Sequence, residues 1–182
     1  MLSPNFALFD TPVGPCGVVW GASGLVGVLL PEASAGATRA RAKRRFGVVQ
    51  ETDAPPEIRQ VMARIVALLS GEPDNLQDIA LDTSAVPAFN LRVYELARGI
   101  LPGQTLTYGE VAARLGEPQA ARAVGQALGA NPFPIIVPCH RVLAAGGKSG
   151  GFSAPGGART KLRLLEIEGA PLGAGPGLFD RV

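Results

Sequence analysis

The chain has 182 residues, room for one ordinary domain or two small ones, which excludes a repeat array or a large multidomain assembly. Hydrophobic residues make up 47% against 18% charged, enough apolar surface to offset the entropy of folding, so a disordered chain is excluded as well. The net charge of +2 conceals an asymmetry: residues 1–86 carry seven Lys/Arg and nine Asp/Glu, whereas residues 87–182 carry ten and six, so a polyanion would be met by the second half.

The 24 glycines and 16 prolines predict many loops and helix caps. The longest uncharged stretch, Thr11 to Pro31, is interrupted by Gly14, Pro15, Gly17, Gly21, Gly24 and Gly27, and its apolar centre is too short to cross a bilayer. The N-terminus lacks a basic region followed by an apolar core, so no secretory signal is expected. Only two cysteines occur, Cys16 and Cys139, the latter beside the single histidine, which suits the reducing cytoplasm better than a disulfide scaffold. One His and two distant Cys do not make a structural zinc site, and no metal is expected.

In chain order, residues 17–21 and 25–30 are β-rich runs around Ala22-Ser23-Gly24, a hairpin pattern closed by Pro31. The basic run Arg39, Arg41, Lys43, Arg44, Arg45 reads as a solvated loop or edge rather than a nucleic-acid patch. Pro55-Pro56-Glu57 opens an amphipathic helix through Ile58, Val61, Met62, Ile65, Val66, Leu68 and Leu69, stopped by Gly71. Residues 79–81 read as a short strand, and a second helix is predicted over 87–98. The join near 85 divides the chain into an N-terminal α/β domain (1–85), a C-terminal domain (86–170) and a flexible tail (171–182).

The second part turns helical with sharp stops. Residues 107–116 predict a short helix with Thr107 as N-cap and Gly116 as terminator. Residues 118–130 predict another, rich in small side chains: Ala120, Ala121, Ala123, Gly125, Ala127, Gly129 and Ala130. Two short helices about a tight turn form a helix-turn-helix pattern. The small residues suit either tight helix packing or close approach to a narrow DNA groove. Then comes Asn131-Pro132-Phe133-Pro134-Ile135-Ile136-Val137-Pro138-Cys139-His140-Arg141-Val142, in which three prolines exclude a central strand and leave an extended, buried approach to a turn. If Pro138 starts a helical turn, its dipole and the neighbouring imidazole favour thiolate at Cys139, making it a nucleophile rather than a small buried hydrophobe. Cys16, inside a strand-like run, reads as the buried hydrophobe. His140 by itself fits a core histidine as well as a base.

Pro138-Cys139-His140-Arg141-Val142 resembles the active-site signature of the O6-alkylguanine-DNA alkyltransferase family, preceded here by Asn131-Pro132 at the family's usual distance. Thr107-Tyr108-Gly109, Ala120-Ala121-Arg122-Ala123-Val124-Gly125 and Leu164-Leu165-Glu166-Ile167-Glu168-Gly169 follow the family pattern in order. The resemblance is close over roughly 85–170 and loose before it. It implies a ribonuclease-H-like α/β N-terminal domain and a mainly helical C-terminal domain with a helix-turn-helix, winged-helix-like in character.

The resemblance further implies that Cys139 accepts the alkyl group and that His140 activates it through a water, oriented by Glu168 rather than Glu166. Tyr108 would press on a phosphate beside the lesion and donate its hydroxyl to the departing purine. Arg122 would enter the duplex in place of the flipped nucleotide, and Asn131 would tie the recognition helix to the active-site turn. The carbonyls of Cys139 and Val142 would meet the guanine amino group, with Ser153 near O6. Phe152 stands where some members have tyrosine, leaving stacking without a hydroxyl, and two extra residues precede Lys161. Some relatives bind zinc in the N-terminal domain; His140 leaves no ligands for that here. No cofactor is implied, and the expected partner is double-stranded DNA containing O6-alkylguanine, met by a monomer. A base inside a duplex must be flipped out to be reached, at a cost of a few kcal/mol.

Gly146-Gly147 and Gly150-Gly151 read as a flexible pocket wall or an ordinary turn. Three rival functions fit parts of the chain: a helix-turn-helix regulator, a cysteine hydrolase, and a non-catalytic lesion-binding relative. The first leaves the Pro-Cys-His-Arg run without a purpose, the second lacks an oxyanion-hole motif, and relatives of the third kind replace the cysteine.

Overall fold

In the computed structural model, which describes residues 3–172, the N-terminal half is built on a four-stranded sheet in the order β3-β2-β1-β4. β1 (Asn5–Thr11) and β2 (Gly14–Gly21) pair antiparallel, β2 pairs antiparallel with β3 (Gly24–Leu29), and the two-residue β4 (Gln50–Glu51) runs parallel to β1. The expected hairpin is β2–β3; β1, in front of it, is an addition to the sequence reading.

Alternation along the strands sends side chains to two covered faces. Phe6, Val19 and Leu29 meet Ala42 and Phe46 of α1 (Ala35–Phe46) on one side. Ala7, Cys16, Val18 and Trp20 join Ile58, Ile65 and Leu68 of α2 (Pro56–Leu69) on the other. Both faces of β2 are therefore buried, as its unbroken apolar run requires.

The basic run is helix α1, not a loop or edge. Ser34 caps it, its hydroxyl accepting from the Ala37 amide, and Thr38 and Ala42, one turn apart, form its buried stripe. Lys43, Arg44 and Arg45 lie in the last turn, where cations complement the helix dipole. The expected strand at 79–81 is only a single bridge between Leu81 and Leu25. Arg98 explains it: its guanidinium donates to the carbonyls of Leu76, Gln77 and Ile79, holding this segment as a loop docked on β3.

The second half contains α3 (Ala88–Arg98), β5 (Leu106–Thr107), α4 (Tyr108–Arg114), α5 (Ala121–Gly129), β6 (Val142–Leu143) and α6 (Ala158–Ile167), with β5 and β6 paired in parallel. α5 starts three residues later than the sequence suggests, because Pro118-Gln119-Ala120 forms the turn after α4 and Ala120 is the N-cap. One buried cluster runs from Val28 and Leu30 through Val93 and Val124 to Val137, Val142 and Leu164, joining the sheet to the helices. Most of the tail expected from 171 lies outside the described residues. Among those described, no helix is long and apolar enough to cross a membrane.

α4 carries the expected Thr107 cap as a full capping box. Thr107 Oγ1 accepts from the Glu110 amide at 3.1 Å, while Glu110 accepts from the Thr107 amide at 2.6 Å. Thr107→Ala should lower stability by about 1–2 kcal/mol in urea denaturation. An unchanged midpoint would show that packing alone sets the start of α4.

Candidate active site

The approach to Cys139 is irregular, as its prolines demand. Pro134 bridges Val137, and Ile135 adopts φ 76°, a left-handed backbone that a β-branched residue takes only when its surroundings force it. Here the force is burial, since Phe133, Ile135, Ile136 and Val137 are all in the core. Cys139–Arg141 then form a single 3₁₀ turn with Pro138 as its N-cap.

Cys139 lines a cavity of about 370 Å³ between the N-terminal parts of α4 and α5 and the 151–153 segment, shared with Tyr108, Arg122, Gly125, Phe152 and Ser153. The expectation of a standing thiolate is not met. Burial pushes the Cys139 thiol up, outweighing the Asn131 side chain, the Lys161 charge and the backbone amides that favour the anion. A three-residue turn has too few aligned peptides for its dipole to reverse that balance. The free protein therefore holds a thiol, and a base is needed to make it a nucleophile.

His140, the next residue, has the chemistry of one. It is buried, and Nε2 lies 2.9 Å from Glu168 Oε1, while Nδ1 has no hydrogen-bond partner among the described residues. Burial pushes its pKa down, more strongly than the Glu168 carboxylate raises it, so the ring is neutral at pH 7. A neutral imidazole facing a carboxylate carries its proton on Nε2, which leaves Nδ1 with a free lone pair. Glu168 also receives Arg141 in a two-pronged pair, Nη2 to Oε1 at 2.7 Å and Nε to Oε2 at 2.9 Å. Burial alone would raise the Glu168 carboxyl, but the hydrogen bonds from His140 and Arg141 hold it at about 2. Glu166 is instead at the surface beside Arg163, so of the two it is Glu168 whose side chain reaches His140.

Asn131 is buried at the end of α5; its Oδ1 accepts from the Phe133 amide at 2.8 Å and its Nδ2 donates to the Val137 carbonyl at 2.9 Å. Tyr108 is half-buried at the start of α4, its hydroxyl 3.4 Å from the Gly151 carbonyl. Gly150 is required there, since an added Cβ would sit 2.9 Å from that hydroxyl at φ +69°. Arg122 is exposed and makes no hydrogen bond or ion pair among the described residues. Ser153 Oγ donates to the Gly129 carbonyl at 2.9 Å, so its hydroxyl is already engaged with α5. The Cys139 carbonyl accepts from the Val142 amide and the Val142 carbonyl from Lys161 Nζ at 2.6 Å, leaving one lone pair on each. Cys16 lies in the sheet core with its thiol pushed up to about 11 by burial. Among the described residues, no group of three or more His, Cys, Asp or Glu side chains is placed to hold a metal.

Lys161 and the counter-ion role of Arg141 were missed in the sequence. Lys161 is fully buried, 3.5 Å from the Tyr108 hydroxyl, and burial pushes it down to about 8. The signal was present: Lys161, Leu164, Leu165 and Glu168 fall on one helical stripe, two polar residues where apolar ones belong.

Residues 88–170 match the family described as 6-O-methylguanine DNA methyltransferase, DNA binding domain. The chain is 34% identical over 88% of its length, and 83% of the relative's, to a methylated-DNA–protein-cysteine methyltransferase of Methanothermobacter thermautotrophicus. It is 35% identical to that of Mycobacterium bovis, covering 97% of this chain and 99% of the relative. Among solved structures, Mycobacterium tuberculosis OGT in complex with DNA superimposes with a TM-score of 0.72 at 33% identity, covering 93% of this chain and 96% of that one. The O6-methylguanine-DNA methyltransferase of Pyrococcus kodakaraensis gives 0.73 at 30% identity, covering 91% and 99%.

Glu168→Gln should destabilise the protein by about 3–5 kcal/mol, because the buried Arg141 guanidinium loses its counter-charge. In the native protein the Glu168 contribution is complete above the unfolded carboxylate value of 4.5 and is lost as pH falls toward about 2. His140, pushed down by burial, acts in the same sense, since the unfolded chain takes up that proton first. Urea titrations should show the variant less stable at neutral pH and with a shallower decline below pH 4.5; parallel acid limbs would contradict the assignment.

Proposed function

The chain belongs to the methylated-DNA–protein-cysteine methyltransferase family, and on that premise we infer that it repairs DNA by direct reversal, taking a methyl or other alkyl group from O6 of guanine onto Cys139. The observation that carries the assignment of residues is the pairing, in one turn, of a cavity-lining thiol with a neutral imidazole whose Nδ1 lone pair is free. His140 takes the thiol proton through a water, with Glu168 stabilising the imidazolium. The sulfur–carbon bond forms as the carbon–O6 bond breaks, and the electron pair passes to the purine, which Tyr108 protonates. The products are a thioether and restored guanine. No second nucleophile is offered to break the thioether, so each molecule acts once.

The partner is double-stranded DNA containing O6-alkylguanine. We read α4 and α5 as a helix-turn-helix on a ribonuclease-H-like N-terminal scaffold, with the division near residue 85. α5 lies against the minor groove, and the room for a Cβ at Gly125 and Gly129 favours this over packing as the reason for its small residues. Arg122, exposed at the cavity edge, fills the place of the flipped nucleotide. Phe152 stacks on the base, and the Cys139 and Val142 carbonyls meet its amino group. Both cysteines are free and buried, in keeping with a monomer in the cytoplasm.

Incubation with a duplex containing O6-methylguanine should raise the intact mass by one methyl group per chain, mapped to Cys139 and not to Cys16. Repeated turnover, or methylation of Cys16, would sink the mechanism. Arg122→Ala should slow repair of the duplex far more than dealkylation of free O6-benzylguanine, since only the duplex requires flipping. Equal losses on the two substrates would remove Arg122 from that role.

A further inference from the structure

We propose that Arg45, in the N-terminal half, is a positioning residue for alkyl transfer: by holding the carbonyls of Ala130 and Asn131 it fixes the Asn131 amide beside Cys139 and so sets the reactivity of a thiol it does not touch. This rests on Cys139 being the acceptor. The last carbonyls of α5 have no partner within the helix. Arg45 Nη2 donates to two carbonyls at this end, Ala130 at 3.1 Å and Asn131 at 2.7 Å. The next carbonyl, Pro132, accepts from the Val28 amide at 2.9 Å. Three successive carbonyls at the start of the approach to Cys139 are thus held by the N-terminal half, two of them by one side chain.

What they hold is the link between helix and thiol. The Asn131 side chain is buried and bonded to Phe133 and Val137, so its orientation follows the backbone that Arg45 fixes. That same side chain is the leading group that favours the Cys139 anion, and Arg45, which shares a small cavity with Cys139, is also near enough for its charge to act in the same sense. Arg45 is placed differently from the other arginines of its basic run, although Arg41 also reaches the second half through a 3.4 Å bond to the Ser153 carbonyl. Arg39 pairs with Glu51 and Arg41 with Glu32, whereas Arg45 makes no ion pair among the described residues and turns to the end of α5. Its guanidinium sits 5.9 Å from the Phe46 ring, and Phe46 packs so closely on Gly27 that a Cβ there would overlap it.

Arg45→Ala, Arg45→Gln and Arg45→Lys should be compared in the full chain. The rate of Cys139 alkylation by iodoacetamide is followed against pH, with unreactive Cys16 as internal control. Transfer from free O6-benzylguanine and from duplex, affinity for undamaged duplex, and Tm complete the set. Ala and Gln should move the pH profile of Cys139 upward and slow transfer from both substrates alike, by about tenfold, because sub-ångström misplacement of a nucleophile is expensive. Lys, which keeps a cation able to bond both carbonyls, should recover most of the rate, and duplex affinity should be unchanged throughout. A lower Tm with an unmoved pH profile would reduce Arg45 to a structural contact and overturn the proposal. So would a loss confined to duplex substrate with weaker DNA binding, which would make it a phosphate contact. If Ala does not fold, Gln and Lys decide. Failure of the unmodified protein to accept an alkyl group would refute the function instead, and the iodoacetamide profile would still judge Arg45.

Discussion

The reactive turn depends on one buried carboxylate. Glu168, at the end of α6, receives both His140 and Arg141, and Arg141 reaches on to the carbonyl of Ile100 after α3. A three-residue 3₁₀ turn has little stability of its own. Its geometry is imposed from outside by these bonds, and by the buried apolar residues that force Ile135 into a left-handed backbone. The carboxylate also decides chemistry, because whichever imidazole nitrogen faces it keeps the proton. Arg141 makes this arrangement affordable: a carboxylate buried beside His140 alone would have risen toward neutrality, and the histidine would have lost its orientation.

Lys161 is the other buried cation among the described residues. It bonds the Val142 carbonyl, lies against the rings of Tyr108 and Phe152, and favours negative charge on Cys139. The thiol thus has a carboxylate-held imidazole beside it and a lysine near it that burial pushes down to about 8, still a cation at neutral pH. Their effects oppose the burial that keeps its proton on.

How much of this could be read in the sequence follows from range. The hairpin β2–β3, helices α2, α3 and α4, and the cap at Thr107 are local, written in alternation, in apolar spacing and in capping residues, and they were legible. Helix α1 was not, because five cations in seven positions mask a stripe of only Thr38 and Ala42. Residues 79–81 resemble a strand locally but are held as a loop by Arg98, which lies on α3. At the site, the adjacency of Cys139 and His140 is in the sequence itself, and the family resemblance pointed to Glu168, whose side chain the fold brings to His140. The state of the thiol was not, because adjacency argues for an anion while burial, a property of the whole fold, argues against it.

That burial has a functional sense in a protein whose nucleophile is consumed by a single reaction. A standing thiolate in an open pocket reacts with oxidants and stray electrophiles in proportion to its anionic fraction and access. For an enzyme that turns over, such losses reduce a rate; here each one removes a molecule. On the proposed mechanism, in which Tyr108 protonates the purine, a Cys139 that keeps its proton and a neutral His140 beside it confine the reactive state to the moment a base fills the cavity. In that mechanism the flipped base provides both the alkyl carbon to attack and the leaving group that receives the proton. Proton transfer and bond exchange become coupled through the substrate, and reactivity is withheld from everything that does not fit the pocket.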